Sequence, residues 1–94
     1  MFAKLFESTK YGQILVKLDT HHEDHTPEVR FYVQPKNLGV CSFAIGFKDD
    51  DQGWELAEQA FEKVDLSRAE EGVAAMFRDF PITVEFDQEA DDAG

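Results

Sequence analysis

A single cysteine, Cys41, leaves no second thiol for a disulfide within the chain. The small secreted scaffolds that replace a core with cross-links are thereby excluded. No stretch approaches the roughly 18 consecutive apolar residues that cross a bilayer. The opening residues, Met1-Phe2-Ala3-Lys4-Leu5-Phe6-Glu7, lack the apolar run of a signal peptide. A soluble, cytoplasmic chain is the expectation. There is no Gly-rich phosphate loop and no G-x-S-x-G elbow. Asp49-Asp50-Asp51 lacks the spaced ligands and the closing Glu of a calcium loop. Base is scarce in one half only: residues 49–94 hold three basic residues against fifteen acidic ones, a balance of −12, while residues 1–48 hold six against five. The net charge of −11 therefore belongs to the second half. Such a half repels nucleic acid and anionic membrane and attracts a basic protein surface.

Apolar residues make up 43% of the 94 and include nine Phe, enough for the core of one domain over residues 1–87. Residues 2–7 alternate weakly, as an edge strand does, with Gly12 in the turn that follows. Ile14, Val16 and Leu18 then alternate with Gln13, Leu15, Lys17 and Asp19, and Val29, Phe31 and Val33 with Glu28, Arg30, Tyr32 and Gln34; period two marks half-buried strands. The polar loop 20–27 lies between them. Pro35 to Gly39 reads as a turn, and Cys41, Phe43, Ile45 and Phe47 form the inward face of a fourth strand. Strands joined this closely pair antiparallel.

The period changes at Asp49. Trp54, Ala57, Phe61 and Val64 are spaced for a helix, with Asp49, Asp50 and Asp51 placed to cap its positive end. Ser67-Arg68-Ala69-Glu70 fits a capping box, so a second helix starts near Ser67. Ala69, Val73, Met76, Phe77 and Phe80 form its apolar face, and Pro81 stops it. Ile82, Val84 and Phe86 alternate with Thr83, Glu85 and Asp87, which reads as a last strand. Residues 88–94 are acidic and read as a disordered tail. The expected fold is α+β, ordered β-β-β-β-α-α-β: an antiparallel sheet of four or five strands with two helices packed on one face. The other sheet face, carrying Lys17, Arg30, Tyr32, Ser42, Thr83 and Glu85, is left to solvent or a partner.

Three constellations bear on chemistry. His21, His22 and His25 share a loop with Asp19, Glu23 and Asp24. The i,i+4 spacing of His21 and His25 aligns two metal ligands on a helix but loses that meaning in a loop between strands, so no metal or cofactor is expected. A pH-sensitive patch is the other reading of these histidines. Cys41 falls on the inward face and reads as a core residue, not a nucleophile. The acids fall on outward positions, whereas a catalytic carboxylate needs burial or a perturbing neighbour; no enzyme activity is expected.

The strongest pattern is a row of carboxylates on the first helix. Asp51, Glu55, Glu58, Glu62 and Asp65 recur at steps of three or four, on the side away from Trp54 and Phe61. Solvated helix faces ordinarily mix signs, Glu against Lys one turn on, but Lys63 is the only base between Lys48 and Arg68. By size and charge alone the chain resembles the small acidic inhibitors that imitate nucleic acid, phage-encoded anti-restriction and anti-CRISPR proteins among them, a likeness of class with no shared motif. It implies a partner-binding surface of Asp49, Asp50, Asp51, Glu55, Glu58, Glu62 and Asp65 that meets the basic surface of a nucleic-acid-binding protein, with no direct contact to nucleic acid or membrane. The alternative is a structural or regulatory interaction module, a homodimer through a strand edge or the Tyr32 sheet face, with the acids only solubilising.

Overall fold

Alternating residues pleat into strands until Phe47, and the switch to helical spacing turns the chain back over the sheet. The computed structural model describes residues 2–86. They form β1 (Phe2–Ser8), β2 (Gly12–Thr20), β3 (Pro27–Val33), β4 (Cys41–Gly46), α1 (Asp51–Lys63) and α2 (Leu66–Phe77). The strands pair antiparallel in the order β1-β2-β3-β4. The register places Lys4, Val16, Phe31 and Phe43 in one row across the sheet. The expected α+β class, a four-stranded antiparallel sheet followed by two helices, is borne out. None of the described helices is long and apolar enough to cross a membrane.

Both helices cover one sheet face. The core joins Ile14, Val16 and Leu18 of β2 and Val29, Phe31 and Val33 of β3 to Ala57 and Phe61 of α1 and Ala69 and Val73 of α2. Phe31 stacks on Phe43, with ring centroids 5.0 Å apart. Gly72 lets α2 settle on that stack, since a Cβ there would stand 3.2 Å from the Phe31 ring. Coverage fades toward β4. Cys41 is only half-buried and Ile45 is 55% exposed, although their register with Val33 and Val29 sets them on the core face. Their direction was legible in the alternation. The expected burial was wrong, because the helices lie mainly over β1 to β3 and cover β4 only in part.

The helix ends use side chains as caps. Asp50 accepts from the Gly53 amide at 2.7 Å. Asp65, not Ser67, caps α2, accepting from the Arg68 amide at 2.9 Å. A short link after Lys63 starts α2 early, so the capping-box Glu70 is free for another role. It accepts a 2.6 Å hydrogen bond from the hydroxyl of buried Ser8, tying α2 to β1. α2 ends at Phe77, before Pro81, and Phe80 is exposed rather than part of the packed face.

At the other end of α1, Lys4 of β1 points inward. Its Nζ donates to the carbonyls of Phe61 (2.7 Å), Glu62 (3.1 Å) and Val64 (3.1 Å). Three ammonium hydrogens meet three carbonyls at the helix end, where the helix runs out of its own donors; the Phe61 carbonyl accepts from the Val64 amide as well (3.2 Å). The cation also sits at the helix's negative pole, 4.7 Å above the Phe61 ring.

The last strand expected over Ile82, Val84 and Phe86 does not join the sheet. This segment leaves α2 across the turn between β3 and β4, where one backbone amide and one side chain hold it. Lys36 N–H donates to the Glu85 carbonyl (2.7 Å), and the Asn37 amide binds Thr83 O (2.8 Å) and Glu85 N–H (2.9 Å). Phe86 packs edge-on against Tyr11 and Phe77. Asp87 and the acidic tail 88–94 lie outside the described residues.

Two outcomes follow from these contacts. Lys4→Met removes three charge-assisted hydrogen bonds and lowers stability by about 1–3 kcal/mol in urea titrations; an unchanged midpoint shows that the cap contributes nothing. Gly53 lies against the backbone carbonyl of Lys48, which a Cβ would overlap. Gly53→Ala therefore destabilises by about 1–3 kcal/mol, opposite in sign to the gain of roughly 1 kcal/mol for Gly→Ala at an open helix site.

Candidate partner-binding surface

On a helix of 3.6 residues per turn, Asp51, Glu55, Glu58 and Glu62 fall within a sector of about 60° and rise about 4.5–6 Å from one to the next. All four are exposed. Among the described residues none forms an ion pair or accepts a side-chain hydrogen bond. The row exists because the opposite side of α1 is fixed by Gly53, Ala57 and Phe61 on the core and because Lys4 anchors its last turn to β1.

The other three residues assigned to this surface behave differently. Asp49 is exposed in the link before α1. Asp50 is engaged as the α1 cap. Asp65 caps α2 and stands 3.5 Å from the Arg68 guanidinium, both side chains 62% exposed; its charge is already part-answered. The structure thus brings four of the seven into one line and gives two of the rest a structural task.

One element of the surface escaped the sequence reading. Phe2, 57% exposed, borders a shallow cleft of about 170 Å³ with Leu18, Glu58, Phe61 and Glu62. Its ring lies 6.4 Å from that of Phe61. An aromatic side chain beside a charged row is the composition of an interface anchor with a polar rim. The signal was there, since Phe2 shares the parity of Lys4 and Phe6, but the pattern of β1 is too weak to show which face meets the helix.

The uncovered sheet face carries a second polar cluster. Arg30 makes a bidentate pair with Glu28, Nε to Oε2 at 2.7 Å and Nη2 to Oε1 at 3.1 Å, and a third bond to the Ser42 hydroxyl at 3.0 Å. Glu28 is buried to 8% exposure, and its hydrogen bonds hold the guanidinium pKa above the usual arginine range. With Lys17, Asp19, Thr20, His22 and Tyr32 these residues line a cleft of about 380 Å³. Two bases, Lys17 and Arg30, face two acids, Asp19 and Glu28, and Arg30 is paired with Glu28, so this cleft offers a partner little net charge.

The histidine loop is occupied by its own backbone. His21 N–H donates to Thr26 O (2.7 Å) and His25 N–H to His21 O (2.9 Å). His25 adopts the left-handed region at φ 61°. His21 Nδ1 accepts from the Glu23 amide at 3.2 Å and stands 3.3 Å from Asp24. The Thr26 hydroxyl and then its amide hold the Asp24 carboxyl below the ordinary aspartate range. No group of three metal-ligating side chains converges among the described residues. One equivalent of zinc is expected to leave the melting temperature unchanged. Tight one-to-one binding in calorimetry, lost on changing His21 and His25 to Ala, contradicts this.

Comparison with protein-family models, with curated proteins and with solved structures finds no match for the chain.

Proposed function

We propose that this chain is a binding protein that occupies a basic surface of a protein partner, a surface that otherwise holds nucleic-acid phosphates. It acts by occupancy in the cytoplasm and makes or breaks no bond, as anti-restriction and anti-CRISPR mimics do. The observation that carries the proposal is the single line of Asp51, Glu55, Glu58 and Glu62, exposed and without cationic partners among the described residues. Their rise of about 4.5–6 Å per charge compares with about 3.4 Å per phosphate along one nucleic-acid strand. A lysine or arginine spans that difference with its flexible stem. The rigid helix holds the charges in place before binding, which lowers the ordering cost of association. Phe2 at the end of the row supplies an apolar contact that phosphates lack.

The test is competition. The chain displaces a labelled oligonucleotide from the basic nucleic-acid-binding protein that it captures from its host, and anisotropy reads the displacement. Glu55→Lys, Glu58→Lys and Glu62→Lys together keep the circular dichroism spectrum, because these side chains point off the core. They weaken binding at least about 100-fold, each close charge pair contributing more than about 1 kcal/mol. Wild-type affinity falls steeply with salt. Lys17→Glu on the open sheet face has little effect. Binding that survives the triple reversal but is lost with Lys17→Glu assigns the interface to the sheet face and ends the proposal.

A further inference from the structure

The two edges of this sheet are not alike. β1 carries Lys4 and Glu7, and its Lys4 points inward to cap α1; charges of this kind discourage edge pairing. β4 and its flanks, Gly39 to Phe47, contain no charge and no proline.

Which groups β4 leaves free follows from one hydrogen bond. Phe47 N–H donates to Pro27 O at 2.8 Å, in the same register as the ladder between β3 and β4. In an antiparallel ladder a residue turns its N–H and C=O to the same side, and its neighbours turn theirs to the other. Cys41, Phe43 and Ile45 therefore bond to β3, and Ser42, Ala44 and Gly46 present their backbone groups outward. No strand pairs with that side among the described residues.

We infer that β4 pairs antiparallel with β4 of a second copy, about a two-fold axis at Ala44. This register matches Ala44 with the partner copy's Ala44 and Ser42 with its Gly46, so that all three outward residues exchange both backbone bonds. Phe43 then faces the second copy's Ile45 on the helix side, an aromatic–β-branched pair of the kind that stabilises sheets. Ile45, 55% exposed in the single chain, gains the cover that α1 and α2 do not give it. Only small side chains, Ser42, Ala44 and Gly46, meet on the opposite face.

Charge selects a second copy over an arbitrary strand. Antiparallel pairing sets the turn that carries exposed Lys36 beside the chain leaving the other β4, where one base, Lys48, is followed by three acids, Asp49, Asp50 and Asp51, so that Lys36 meets net negative charge. Glu58 and Glu62 stand next to Phe2 of β1, at the far edge. At about 4.8 Å per strand the two acidic ends lie about 30 Å apart across the joined sheet, several Debye lengths of about 8 Å. The paired edge is isologous and closed, leaving no edge that propagates through β4.

Sedimentation equilibrium of the full chain tests the pairing, with dimer expected to form through the micromolar range. Ala44→Pro removes the donor at the axis but no bond to β3, and yields monomer with an unchanged circular dichroism spectrum. Should Ala44→Pro fail to fold, Ile45→Lys decides the same point, since it replaces an already exposed side chain and sets a charge against the second copy's Phe43. In a Cys41→Ser background, Ala44→Cys cross-links on mild oxidation and Ser42→Cys does not. The charge-reversed Glu55, Glu58 and Glu62 variant stays dimeric, which separates this inference from the acidic-row proposal. It is overturned by a wild-type chain monomeric into the high micromolar range, by a dimer that survives Ile45→Lys, or by Ser42→Cys cross-linking as fast as Ala44→Cys.

Discussion

The contact between Lys4 and the end of α1 sets the geometry of everything built on the helix. A strand edge and a helix terminus each carry polar backbone groups that the element itself does not satisfy. Here one ammonium group at the edge strand answers three carbonyls at the helix end. Coming from β1, it fixes where α1 stops along the sheet. The rotation of α1 about its axis is set independently by Gly53, Ala57 and Phe61 against the core. With position and rotation both settled, the outer sector has no freedom left, and the carboxylates on it form a line rather than a diffuse acidic surface.

The same economy of contacts explains the distribution of charge. Carboxylates near the ends of α1 and α2 that have a partner are caps or bridge elements: Asp50 to Gly53, Asp65 to Arg68, Glu70 to Ser8. On the open sheet face Glu28 is matched by Arg30. Against these, the side chains of the row from Asp51 to Glu62 make no ion pair and no hydrogen bond among the described residues, and only Asp51, in the first turn, lies at the helix's positive end. Repulsion between like charges one turn apart amounts to a few tenths of a kcal/mol per pair, small against the core but not zero. That concentration of like charge in one sector of one helix is the feature on which the proposed binding role rests.

How far the sequence revealed this depended on whether a feature is local. Period-two alternation in Ile14–Leu18 and Val29–Val33 and helical spacing in Trp54–Val64 are local, and each became the element it signalled. Direction was readable too: Cys41 and Ile45 do point to the helix side. Coverage was not, because it depends on where two helices come to rest across four strands. The α2 cap moved from Ser67 to Asp65 because the turn between the helices is shorter than the capping-box pattern implies. The segment from Ile82 to Phe86 alternates as a strand should, but alternation cannot tell whether an edge lies within reach; Asn37 takes the bonds instead. In the candidate surface the row was legible from spacing alone. The separate tasks of Asp50 and Asp65, and the place of Phe2 beside Glu58, needed three dimensions.

The Ser8–Glu70 bond has a consequence for how the molecule comes into being. The meander pairs neighbours, so its ladders close over few residues and assemble early. The helix side of that sheet is covered first by α1 and completely only once the chain has been made past Glu70, since Lys4 and Ser8 find their partners 57 and 62 residues later. On the ribosome the sheet is thus complete before its lid exists, with Val16, Phe31 and Val33 open to whatever is nearby. The interval between the emergence of β4 and the docking of α2 is the time in which the apolar face is most open to association with other chains, and it ends when the first strand is fastened to the last helix.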